Sequence, residues 1–126
     1  MLFGNAGRAL DGLRLIDEAI AIAEENNESW CNAELHRERG QLLLLASGND
    51  AETQADKEFQ AAIEIAAAQG AKLPELRASV ARARLLAARG ERREARDILT
   101  PMYGWFSEGL EGRDFAEARS LLAQLR

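Results

Sequence analysis

The chain contains the same helical phrase twice. Residues 59–71, FQAAIEIAAAQGA, align with residues 16–28, IDEAIAIAEENNE, at a constant offset of 43. Ile16 falls on Phe59, Ala19 on Ala62, Ile20 on Ile63, Ile22 on Ile65 and Ala23 on Ala66. Self-similarity at a fixed period narrows the fold more than any bulk property, because a repeated unit must bury its apolar face against its neighbours. Architectures of this kind bind more often than they catalyse.

The spacing inside the phrase is helical. Leu13, Ile16, Ile20 and Ala23 step by 3, 4 and 3, which puts them on one stripe. Leu15, Ala19 and Ile22 form a second stripe, so this helix needs cover on more than one side. Ala, Leu, Glu and Arg are abundant, whereas Val occurs once and Thr twice, so a sheet has little of its preferred material. The class predicted is all-α, in a single domain over 1–126. The helices predicted are 7–26, 30–47, 52–68, 74–89, 91–106 and 114–125. Ser29 is the expected N-cap of the second helix, whose LLLLA run at 42–46 predicts deep burial. Asn26-Asn27 and Ser47-Gly48-Asn49-Asp50 are turn signals. Gly70 and Gly90 are placed to close helices in the left-handed conformation, and Pro74 suits a first turn. The expected inner faces are Ala55, Phe59, Ala62, Ile63 and Ala66 in the third helix, and Leu76, Val80, Ala83 and Ala87 in the fourth. Phe115, Ala118, Leu122 and Leu125 make the inner face of the sixth. Short glycine-containing turns between helices of similar length predict antiparallel hairpins stacked side by side.

Ala55-x3-Phe59 and Ala95-x3-Leu99 recur 40 residues apart, with Gly40 and Ala83 as small residues in the preceding helices. On these residues the chain resembles the tetratricopeptide-repeat superfamily. Ala83 precedes Ala95 by 12, the usual spacing, whereas Gly40 precedes Ala55 by 15 because of a longer turn. Leu43 and Leu86 stand where the family has an aromatic, and the closing proline is absent from both repeats, which marks a divergent branch. Four further phrases, GLRLIDEAIAIAE, W-x-x-AELHR-x-RG-x-LLL, GERREARDIL-x-P and YGWFSEG, are similar to the C-terminal regions of large bacterial signalling proteins. Those proteins carry a cyclase or DNA-binding regulator domain, then an AAA-type ATPase, then helical repeats. The resemblance implies a stack of helix hairpins with a C-terminal capping helix, acting as a scaffold or regulatory module. It also implies that this chain is a piece of a larger protein. The first helix reads as the second member of a hairpin lacking its first, so Leu13, Leu15, Ile16, Ile20 and Ile22 would need cover from the leading segment or from a second copy of the chain.

Net charge is −5, with 13 acidic and 6 basic residues in 1–73 but 8 and 10 in 74–126. An acidic chain is poorly suited to neutralising phosphates, so no nucleic-acid partner is expected. No apolar stretch approaches the ~20 residues of a membrane span, and one cysteine forms no internal disulfide, so the compartment expected is the cytoplasm. Cys31 and His36 are the only soft ligands and fall short of a metal set; no phosphate-cradling loop is present, and Asp17-Glu18 or Glu24-Glu25 read as solvated charge. The expectation is therefore no enzyme and no cofactor; a stand-alone enzyme would need a polar pocket with convergent titratable groups.

The candidate site is a groove. In tetratricopeptide proteins the first helices of the hairpins line a concave surface, and carrying their positions over selects Glu34, Arg37, Gln41, Leu44, Arg77, Val80 and Arg84. Arg37, Arg77 and Arg84 are suited to hold the carboxylates of an acidic peptide. The Asn and Lys residues of the family's carboxylate-clamp branch are not reproduced. Beside this stands a plainer reading of the whole cluster, Arg77, Arg82, Arg84, Arg89, Arg92, Arg93 and Arg96, as a solvated face in which several arginines pair at i,i+3 or i,i+4 with nearby acids such as Glu91. The aromatics of MYGWFSEG, 102–109, are expected to pin the last helix over the final hairpin, so that Trp105→Ala would cost ~3–5 kcal/mol. The partner expected is a protein or peptide, another domain of the parent, or a second copy of the chain.

Overall fold

A computed structural model of the chain describes residues 2–26, 32–46, 50–105 and 113–125, and the side chains of 7–26, 32–46, 50–104 and 116–125. Six helices follow one another: α1 (Leu2–Glu25), α2 (Asn32–Ala46), α3 (Ala51–Gln69), α4 (Lys72–Ala88), α5 (Arg92–Trp105) and α6 (Arg113–Leu125). The described residues contain no strand, and the chain is all-α. None of these helices is long and apolar enough to cross a membrane.

The helix ends show which local signals operate. Gly70 (φ 68°) and Gly90 (φ 84°) close α3 and α4 in the left-handed region. In each case the following amide reaches back over the end, from Ala71 to the Ala66 carbonyl at 2.9 Å and from Glu91 to Leu86 at 2.8 Å. A glycine enters that conformation without the Cβ clash that other residues meet. α4 begins two residues before Pro74, which then occupies the third helical position, where an amide has no intrahelical partner to lose. α1 begins at Leu2 rather than at residue 7; Gly4 and Gly7 each oppose a helix by only about 1 kcal/mol, and no proline intervenes. α5 runs through Pro101, which gives up one interior hydrogen bond near its end.

Each helix packs against the next, and in addition α4 packs against both α2 and α6. α2, α4 and α6 thus form one contiguous row, and α1, α3 and α5 each pack against members of it. α4 is the most enclosed element because it divides two cores. Leu76, Val80, Ala83 and Leu86 join Ala95, Leu99 and Met102 of α5 and Ala118, Leu121 and Leu125 of α6. On its other side Ala81 and Leu85 meet Ala55 and Phe59 of α3, with Leu43 and Leu44 of α2 packed against them. Burial of each large side chain in these clusters contributes ~1.5–3 kcal/mol.

Small residues set how closely the helices approach. A Cβ on Gly40 would lie 2.6 Å from the Phe59 ring, so the α2 backbone rests directly on that ring. Gly12 makes a looser version of the same contact with Leu42, 3.2 Å from its would-be Cβ. Gly12 precedes Ala55 by 43, so α1 carries the small residue of the second-helix pair.

One expectation about burial needs correction. The leucine run is not deeply buried: Leu42, Leu43 and Leu44 are half-buried, and Leu45 is 59% exposed. Four successive residues sweep about 300° around a helix, so one core face cannot receive them all. Leu122 of α6 and Ala87 of α4 pack against the core while partly buried, and Leu121, not read from the sequence, is buried there with Ala118 and Leu125. Ser29 and Cys31 lie outside the described residues, as do the Phe115 side chain and residues 106–109.

Candidate functional site

α2 and α4 lie side by side, and a cleft runs between them. At one end Glu34 of α2 faces Arg77 of α4. Glu34 Oε2 accepts a hydrogen bond from Arg37 Nη2 at 2.7 Å and lies 3.6 Å from Arg77 Nη1. One partly buried carboxylate therefore orients two guanidinium groups. Glu34 Oε1 and Arg37 Nε are both buried without a hydrogen-bond partner. Arg37 also donates to Gln41 Oε1 at a long 3.4 Å. Farther along α4, Arg84 Nη2 stands 3.6 Å from Glu117 Oε2 of α6.

These side chains enclose a cavity of about 350 Å³, lined by Arg37, Gln41, Arg77, Val80, Ala81, Arg84 and Glu117. A second cavity of about 370 Å³ continues it toward the C-terminal ends of the two helices. That one is walled by Leu44, Phe59, Leu85 and Ala88 and edged by Glu52, and it shares Gln41, Ala81 and Arg84 with the first. The cleft is thus polar and arginine-rich at one end and apolar at the other.

Arg37, Gln41, Arg77, Val80 and Arg84 all line the first cavity, and Leu44 lines the second. Glu34 supports the arginines beside the cavity. Glu117, Glu52, Ala81, Leu85 and Ala88 were not among the residues read from the sequence, and Phe59 was read only as core. A signal for α6 was present in Ala118, a small residue 35 after Ala83 and fully buried, which marks another helix of the same row. Nothing local pointed Glu117 toward Arg84.

Within the arginine cluster Arg89, Arg92, Arg93 and Arg96 are exposed, as expected of a solvated face, whereas Arg77, Arg82 and Arg84 pair between helices. Arg77 meets Glu34, Arg84 meets Glu117, and Arg82 Nε bonds Asp56 Oδ1 of α3 at 2.7 Å with Glu94 of α5 at 3.7 Å. Arg82 repeats Arg39, 43 residues earlier. Arg39 bonds Asp17 of α1 at 2.8 Å and Glu58 of α3 at 2.9 Å. The Asp17 hydrogen bond, aided by the Glu58 charge and opposed by burial, raises the Arg39 pKa above its ordinary value. Each of these arginines precedes the small residue of its helix and ties the helices on either side of it.

His36 belongs to the same structural network, its Nδ1 lying 2.6 Å from Glu58 Oε2. Among the described residues no group of three or more His, Cys, Asp or Glu side chains is placed to hold a metal ion. At the end of α5, Met102 is buried in the larger core and Tyr103 is half-buried, while the Trp105 side chain lies outside the described residues. No protein-family model matches the chain, and no curated protein and no solved structure matches it.

Proposed function

We propose that the chain is a tetratricopeptide-like, non-catalytic interaction module of a larger bacterial signalling protein. It binds a segment of a partner protein, or of another domain of its parent, in the cleft between α2 and α4. The observation that carries this reading is the convergence of Arg37, Arg77 and Arg84 from two helices on one cavity that opens into an apolar one. The Gly40–Phe59 contact and the row formed by α2, α4 and α6 support the repeat architecture. The test is selection of displayed random peptides on the protein, counter-screened against Arg37→Glu, Arg77→Glu, Arg84→Glu. Peptides retained by the parent chain and lost on the triple variant, itself shown folded by circular dichroism, are the expected result. If no peptide depends on the three arginines, this reading is lost.

A second reading, self-association through α1, is favoured by one specific observation. Leu15 and Ile22 are 65% and 54% exposed on a single flank of the helix. The repeat register equates Leu15 with Glu58, which faces α2, and with Ile98, which packs into the core that α4 shares. That flank of α1 is therefore where a first helix would sit, and a second copy of the chain is the proposed cover. Sedimentation should show a dimer that Leu15→Glu, Ile22→Glu converts to monomer; a monomer at every concentration eliminates this reading.

A further inference from the structure

We infer that the cleft recognises a protein segment carrying acidic side chains followed at short spacing by a large apolar one, the acid displacing Glu117 from Arg84. This inference rests on the peptide-binding reading above. Among the described residues the polar cavity is lined by three arginines and one carboxylate, Glu117, with Glu34 beside it, an arginine-rich lining in a chain whose net charge is −5. The two carboxylates are held differently. Glu34 is engaged by Arg37 at hydrogen-bond distance and keeps both Arg37 and Arg77 in place. Glu117 stands 3.6 Å from an Arg84 side chain that is 54% exposed. A solvent-facing pair of that kind is screened and contributes little, so an incoming carboxylate with better geometry competes for Arg84 readily. A guanidinium accepts such a carboxylate in a bidentate manner.

Beyond Arg84 the lining changes to Leu44, Phe59, Leu85 and Ala88. The helix rise places Ala88 about 6 Å from Arg84 along α4, and Arg77 about 10.5 Å the other way. An extended segment advances about 3.3 Å per residue. The matching ligand therefore has one acid for Arg77, a second about three residues on for Arg84, and an apolar side chain about two residues beyond. Glu52, exposed at the edge of the apolar cavity, repels an acid at that end and so sets the direction of the segment.

The displayed random peptides of the preceding experiment serve as the probe, with their composition and their binding to single variants read by fluorescence anisotropy. Arginine-dependent peptides should be enriched in the acid–acid–apolar order. Arg84→Glu should weaken them roughly tenfold or more, as removal of one partner of a charge pair does. Glu117→Gln should tighten them by about threefold, because the internal competitor is gone. Arginine-dependent peptides with no acidic or apolar preference, or binding unchanged or weakened by Glu117→Gln, overturn this inference while leaving the groove reading intact. A library without any arginine-dependent peptide overturns both.

Discussion

Gly40→Ala opposes two well-measured effects in one side chain. Alanine stabilises a helix interior by about 1 kcal/mol over glycine. Here the added methyl would sit 2.6, 2.9 and 3.1 Å from Cε1, Cδ1 and Cζ of Phe59, a ring only 1% exposed. The ring has to retreat by about 1 Å to reach ordinary contact, and overpacking of this kind costs ~1–3 kcal/mol. The contact is at the severe end, so the penalty is taken as about 2–3 kcal/mol, leaving a net loss of about 1–2 kcal/mol. Phe59→Leu deletes Cε1 and Cζ and with them most of the clash. In that background Gly40→Ala should stabilise by about 1 kcal/mol, and the cycle should show a coupling of about 2–3 kcal/mol. Urea denaturation followed by far-UV circular dichroism measures all four proteins. A gain of about 1 kcal/mol from Gly40→Ala in both backgrounds would mean that α2 does not rest on Phe59.

Two further predictions concern the repeated arginine bridges. Arg82→Met leaves Asp56 with Gln60 as its remaining partner at 2.7 Å, and should cost about 1–3 kcal/mol in denaturant titrations; a change below about 0.5 kcal/mol rejects the bridge. For Arg39→Met the pH dependence is the informative quantity. A raised folded-state pKa adds stability at every pH below the ordinary arginine value, and that stability fades only as pH climbs through the raised value. The cost of Arg39→Met should therefore be equal at about pH 7 and about pH 10; a cost that shrinks by the higher pH contradicts the charged bridge.

Much of this molecule is local and could be read without coordinates. The 3- and 4-residue steps marked the helices, and Gly70 and Gly90 marked two of their ends, while the residues lining the cleft between α2 and α4 came only from positions carried over by resemblance. Such features depend on backbone preferences and on periodicity, both of which act over a few residues. Helix start points were less legible, as at Leu2 and Lys72, because glycine and an early proline only weakly oppose a turn.

What the chain's order of residues determined, then, was its all-α class, its period and the small–large pairs that let one helix rest on another. Only the tertiary structure decided that Leu45 faces outward, that Glu34 serves two arginines, that Arg39 and Arg82 bridge neighbouring helices, and that Glu117 closes on Arg84. Periodicity tells how side chains are distributed around one helix axis. It does not tell how that axis is rotated against its neighbours, and the charges that meet across a cleft depend on that rotation.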